Sequence, residues 1–378
     1  MLAIIWQRIP GYIFAYLYML TILKRIFFGF PLLVQLTALG QYSDPPRSIV
    51  VYKSVDTIVV DGLANESSWK NAEVSDDFID IEGMKVPTYK TNVRMLWDEE
   101  YLYFFADLEE PHVWADITER DAVIFYNNDF EIFIDPDGDT HNYYEFEMNA
   151  LNTVWDLLLV KPYRENGPVV DSWDILGIKT AVHVNGTLND PNDVDQGWSV
   201  EIAMPWSVLT EASRSNDVPE GQFWRINFSR VNWDFQLENG KYGRKKNEEG
   251  KYLPEYNWVW SPQGVINMHE PEHWGYAYFS PMVSGKKDSF TIPRDEEIRW
   301  LLYSYYRKQK SYRAKHGTFA DSLKLLWSEP KLSDGTLIKM QLELHGTGWN
   351  LFALSPFTGN TYTIREDGKY QLTKNGKK

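Results

Sequence analysis

The chain has 378 residues, with 38 basic against 53 acidic side chains and a formal net charge of −15. All the acids fall after residue 40 and no basic cluster offsets them, which argues against a nucleic-acid partner. Cysteine is absent, excluding a disulfide scaffold, a thiol nucleophile, Cys-ligated zinc and a lipid-modified Cys anchor, while aromatic residues reach 15%.

Residues 9–23 and 26–39 are apolar runs separated by Lys24-Arg25. Each is shorter than the roughly 20 residues that cross a bilayer as a helix. The second has the parts of an export signal in order: Lys24-Arg25, an apolar stretch, then Ala38 and Gly40. Residues 1–40 are therefore expected to be a signal peptide, with Met19 as the true start. A secreted or periplasmic protein follows, with no stable membrane span once the signal is removed. A short membrane hairpin is the alternative. Asp44-Pro45-Pro46 makes a stiff lead-in to the folded part.

From Ile49 to about Ser284 the chain reads as short strands bounded by Gly, Pro, Asn or Asp. SIVVYK, DTIVVDG, NVRMLWD, YLYFFADL, DFEIFIDPDGD, HNYYEFEMNA, TVWDLLLV, IKTAVHVNG, GWSVEIAMP, FWRINFSRVN and WGYAYFSP all fit. Helices are few and short, SSWKNA and PWSVL. Many strands without βα alternation predict a mainly β, antiparallel, jelly-roll-like sandwich over 45–283. After Pro281 a helix over 294–316 carries Ile298, Leu301, Leu302, Tyr305, Gln309 and Tyr312 on one side and ends at Gly317. GTLIKMQLEL, WNLFALS, TYTIR and KYQLT then form a meander, so residues 290–378 are expected to be a small α+β unit.

Three constellations carry chemistry. HEPEH at 269–273 matches the zinc-peptidase spacing, but Pro271 breaks the helix that spacing needs, so the match reads as accidental. DPDGD places Asp135, Asp137 and Asp139 in one turn, a set that suits calcium or, equally, a plain strand-to-strand turn. In HNYYEFEMNA, period-2 alternation puts Tyr143, Glu145, Glu147 and Asn149 opposite Tyr144, Phe146 and Met148, with Glu131 able to join from a neighbouring strand. Carboxylates beside aromatic rings fit a sugar site, since hydroxyls want bidentate acceptors and pyranose faces want flat partners. The same Glu131 with Glu145 or Glu147 could be the acid and nucleophile of a glycoside hydrolase. A polar face turned to solvent is the plain alternative.

VDGLANESSWKNA, VRMLWDEEYLYFFADL, NDFEIFIDPDGD, YYEFEMNALNTVWD, GWSVEIAMPW, WRINFSRVNW and WVWSPQGVINMHEPEHWGYAYF span about 45–283. Taken in this order, the set resembles carbohydrate-binding module family 9 in its divergent secreted bacterial form. The resemblance implies a sandwich that binds glucan- or xylan-type polysaccharide (cellulose included) or its oligosaccharides, with structural calcium. It also implies work beside polysaccharide-degrading enzymes in polysaccharide catabolism. The family clasps a terminal sugar between two tryptophans with a Glu and an Arg; by motif position these fall near Phe125, near Met268, on Glu131 and on Glu147. One aromatic is thus kept in kind, the other is a Met, and the cation has become an acid. Tyr126, Asn149, Trp155, Trp173, Arg230, Trp233 and His269 are further candidates by chemistry.

Overall fold

The computed structural model describes residues 45–326 and 329–376, so the export signal expected over 1–40 lies outside the described residues. The chain from Pro46 onward forms one compact unit. Among the described residues no helix is long and apolar enough to cross a membrane.

The chain begins with β1 (Ser48–Lys53), α1 (Ser67–Lys70), β2 (Ile79–Asp80), β3 (Thr91–Trp97), β4 (Tyr101–Glu109), β5 (Asp129–Asp135), β6 (Tyr143–Asn149) and β7 (Val154–Leu159). It continues with β8 (Val169–Val170), β9 (Lys179–Asn185), β10 (Gly197–Pro205), α2 (Trp206–Leu209), β11 (Phe223–Asn232), β12 (Phe235–Glu238), β13 (Lys241–Arg244), β14 (Tyr256–Val259) and β15 (Gly275–Val283). Thirteen of these strands join one sheet in the order β8-β7-β6-β5-β11-β15-β1-β3-β4-β10-β9, with β14 on β11 and β2 on β14. The strands pair antiparallel except β1, which runs parallel to both β15 and β3. The sandwich is therefore one continuous sheet folded onto itself about a parallel centre.

Its core lies between the two halves. Val93, Met95, Phe104, Ala106, Val200 and Ile202 on one side meet Phe130, Ile132, Phe146, Met148, Ile226 and Phe228 on the other. Phe104 touches Phe228 edge-on at 5.9 Å between ring centres. Burying this apolar surface is the main force that holds the layers together.

One expected strand is absent: residues 56–62, from DTIVVDG, run as a loop. Its amides go to side chains in place of a ladder. Asp61 and Gly62 donate to Glu201 at 2.9 and 3.1 Å, and Val59 donates to Glu66 at 3.1 Å. The same Glu201 accepts from the Trp69 indole at 2.8 Å, so one buried carboxylate ties the D-G loop to α1. A β-branched run is not enough where a side chain supplies better acceptors.

Beyond β15 come α3 (Asp295–His316) and a four-stranded meander of β16 (Lys339–His345), β17 (Gly348–Leu354), β18 (Thr361–Arg365) and β19 (Tyr370–Thr373). Asp295, Glu296 and Glu297 occupy the first turn of α3, where the helix dipole favours acids, and Gly317 closes it at φ +77°. Ile298, Leu301, Leu302, Tyr305 and Gln309 are buried, while Tyr312 is only partly covered. This second core packs on the sandwich through a polar seam. Glu272 pairs with Arg164 at 2.9 Å and with Arg307 of α3 at 2.6 Å, and Glu270 shares both guanidinium groups.

Candidate functional site

β5 and β6 send Phe130, Ile132, Ile134, Tyr144, Phe146 and Met148 into the core. Period-2 geometry then commits Asp129, Glu131, Phe133, Glu145, Glu147 and Asn149 to the opposite face. Register sets Glu131 across from Glu147 and Phe133 across from Glu145. On the far side of β6, Glu147 faces Trp155 and Glu145 faces Leu157.

An antiparallel sheet commonly gives such a face to water. Here Asp129, Glu131, Glu145 and Glu147 are only 0, 5, 6 and 2% exposed. Phe125, Tyr163, Glu255, Met268 and His269 from the connecting segments, with Asn257 of β14, frame a cavity of about 270 Å³. Its apolar wall is Phe125, Phe133, Trp155, Leu157, Tyr163, Val231 and Met268, and its acids are Glu131, Glu145, Glu147 and Glu255. The expectation of a solvated polar face is thus replaced by a covered one.

Burial governs the charge state. It pushes Glu131 up to about 7, with Glu255 adding to the effect. Glu145 and Glu147 are raised well above the carboxylate range by burial and then by Glu131, and Asp129 behaves the same way. The Phe125 amide donates to Glu147 at 3.0 Å and tethers one aromatic wall to this floor. His269 is held down to about 3 by burial and by Arg164, so it is neutral, with its Nδ1 hydrogen-bonded to the Tyr143 hydroxyl at 2.9 Å.

The structure brings together Phe125, Glu131, Glu145, Glu147, Trp155, Met268 and His269 of the sequence-predicted set. The other five lie elsewhere. Asn149 organises the turn after β6, accepting from the Leu151 and Thr153 amides at 3.0 and 3.1 Å. Trp173 stacks on Tyr144 at 4.5 Å with its indole on Glu211. Arg230 is wholly buried and gives its guanidinium to Glu110 at 2.7 Å, Asn232 at 2.9 Å and Thr91 at 3.0 Å. Trp233 supports the cavity from behind through an indole bond to the Phe125 carbonyl at 2.8 Å. Tyr126 is exposed beneath Arg244, 4.4 Å from its ring centre. Phe133 and Asp129 were readable as the i+2 and i−2 neighbours of Glu131 on one face. Tyr163 and Glu255 come from connections whose course no local pattern gives, and Asn257 from β14, a strand the sequence reading did not single out.

The turn expected to hold calcium is densely hydrogen-bonded. Asp135 accepts from the Gly138 and Thr140 amides at 2.9 and 2.8 Å, and Asp137 from the Asp139 amide at 3.1 Å. Asp139 accepts from the His141 amide at 2.8 Å and pairs with Lys369 at 2.9 Å, while Arg214 stands 3.5 Å from Asp137. Every one of the six carboxylate oxygens has a protein partner, two of them cationic, and each Asp also offers an oxygen within 4.8 Å of the other two, the grouping that a cation would need. The HEPEH residues do not share one helix face. Pro271–His273 is a single 3₁₀ turn, and Glu270 is engaged by Arg164 and Arg307.

Comparison with known proteins gives no match to a curated protein. A candidate carbohydrate-binding protein from Bacteroides uniformis aligns at 20% identity over 62% of this chain and 99% of its own, with a TM-score of 0.45. A carbohydrate binding module family 9 from Caldicellulosiruptor kristjanssonii, solved with cellotriose, aligns at 15% identity over 65% of this chain and 98% of its own, with a TM-score of 0.40. Its glucose complex aligns at 15% identity over 65% of this chain and 100% of its own, with a TM-score of 0.41. Residues 60–227 match the family model for a carbohydrate family 9 binding domain-like sequence.

Proposed function

We propose that the chain is a non-catalytic carbohydrate-binding protein that takes a sugar unit into the cavity between β5, β6 and β7. The observation that carries this reading is the cavity itself: about 270 Å³, with Phe125, Trp155 and Tyr163 on its wall and three glutamates from two adjacent strands in its lining. Rings stack on pyranose faces and carboxyl groups bond hydroxyls. The ligand class we assign is a plant-type glucan or xylan, cellulose included, or its oligosaccharides. On this reading the protein is exported and works beside polysaccharide-degrading enzymes.

Hydrolysis is favoured less by the same geometry. Asp129, Glu131 and Glu147 each offer an oxygen within 4.8 Å of the other two, so these acids crowd together in one buried cluster. Burial also raises Glu131, Glu145 and Glu147 together, whereas an acid and a nucleophile need their pKa values pushed apart.

The test is binding of the purified chain to a broad glycan array, followed by calorimetry on the best ligand. Phe125→Ala and Trp155→Ala are each expected to weaken binding roughly tenfold, about 1.4 kcal/mol. Unchanged affinity in both variants would place the sugar site elsewhere. Release of reducing sugar by the parent would restore the hydrolase reading.

A further inference from the structure

We propose that, on the sugar-binding reading of the cavity, Arg244 and Lys246 form a cationic subsite beside it that takes the carboxylate of a uronic acid unit on the bound glycan. The Arg244 guanidinium lies over three rings, 4.1 Å from the centre of Tyr252, 4.4 Å from Tyr126 and 4.7 Å from Trp233. The Lys246 ammonium stands 5.1 Å from the same Tyr252 ring. Tyr126 and Tyr252 are 46 and 51% exposed, so aromatic surface is left open around the two cations. Among the described residues neither cation is paired with a carboxylate, whereas Arg164, Arg230 and Arg307 each are. Glu249, in the same connection, is taken up by Lys251 at 3.3 Å. A guanidinium resting on ring faces keeps the N–H donors of its edge, and that edge matches a carboxylate in bidentate fashion.

Position supports the same assignment. Backbone pairing fixes the segment: Arg244 of β13 lies opposite Phe235 of β12, the Lys245 amide donates to the Asp234 carbonyl at 2.8 Å, and Lys246 bridges to Tyr252. The patch adjoins the cavity through Phe125. The Tyr126 ring meets that of Phe125 edge-on at 4.9 Å, and the Trp233 indole bonds the Phe125 carbonyl at 2.8 Å. The cavity lining itself holds four glutamates and no lysine or arginine. A carboxylate drawn inside would lose its water and gain no counter-charge, so the cavity suits a neutral sugar unit. An acidic neighbour on the same glycan meets its counter-charge only outside, at Arg244 and Lys246. The formal charge of −15 repels extended polyanions, which favours a glycan with isolated carboxylates over a densely charged polymer.

The experiment is calorimetry of the full chain with two acidic probes, each compared with its carboxyl-reduced, neutral form. One is a xylo-oligosaccharide bearing a glucuronic acid branch, the other a cello-oligosaccharide oxidised to a uronic acid at one primary hydroxyl. On at least one backbone the acidic form should bind roughly three- to tenfold tighter, as expected for a partly exposed, charge-assisted pair. Added salt should shrink that gap. Arg244→Gln and Lys246→Gln should each erode the preference and leave affinity for the neutral form as in the parent. Lys246 is exposed, so its variant keeps the test valid if Arg244→Gln fails to fold, which circular dichroism shows. Equal affinity for acidic and neutral forms overturns the subsite and leaves the cavity reading standing. Binding of no probe by the folded parent removes both. A preference that survives in both variants places the carboxylate elsewhere and overturns the subsite. So does tighter binding of dextran sulfate than of either acidic probe, which would make the patch a general polyanion surface.

Discussion

Glu131 and Arg230 sit on adjacent strands, and both are nearly or wholly buried, yet their surroundings give them different work. Arg230 is closed in by Glu110, Asn232 and Thr91, with the rings of Trp258 and Tyr89 5.1 and 5.8 Å away. Its role is to neutralise Glu110 inside the fold. Removing one partner of a buried pair leaves the other charge uncompensated, so Arg230→Ala should cost about 3–5 kcal/mol in urea unfolding. The folded variant should retain glycan affinity, because Arg230 does not line the cavity. Glu131 has the opposite character: it faces the cavity and has other carboxyl groups for neighbours.

The β5–β6 pair shows how one strand serves two surfaces. Glu131 and Ile132 are consecutive, but the first lines the cavity and the second is packed in the core. Ile132→Ala should therefore cost about 2–5 kcal/mol by removing core contacts and leaving a void. Thermal and denaturant unfolding would show this loss, with glycan affinity of the folded fraction unchanged. The loop over residues 56–62 shows the limit of local pattern. Its alternating valines suit a strand, but Glu201, 139 residues from Gly62, captures the amides. In contrast, α3 forms over the expected span and buries Ile298, Leu301, Leu302, Tyr305 and Gln309 of its apolar stripe, although Arg299, Tyr303 and Tyr306 outside that stripe are buried as well.

At the scale of the whole molecule, the seam between the sandwich and the C-terminal core is ionic. Arg164 and Arg307 hold Glu272 below the usual carboxylate range although burial acts to raise it. A carboxyl depressed in the folded state adds stability above its ordinary value of 4.5, and that stability is lost as pH falls below it. Glu272→Gln should thus destabilise the chain at neutral pH by on the order of 3 kcal/mol. The gap between parent and variant should close as pH drops below about 4.5. Unfolding curves across that range check both the size and the sign. A gap that widens in acid would mean that the seam is not held by this charge.

The amino-acid sequence by itself determined the strand-rich class, the long C-terminal helix and the face on which Glu131, Glu145 and Glu147 lie. These follow from periods of 2 and 3.6, which are properties of the backbone. It also brought Phe125, Trp155, Met268 and His269 onto one list of candidates. Only the tertiary structure decided that Arg230 and Asn149 serve the fold, that Asp135, Asp137 and Asp139 are matched by amides and by Lys369 and Arg214, and that the polar face is covered. The physical reason is that charge compensation and desolvation are set by neighbours distant in the chain. Glu110 lies 120 residues from Arg230, and Asp139 meets Lys369 of the last strand's turn. Such partners leave no periodic trace in the residues around them.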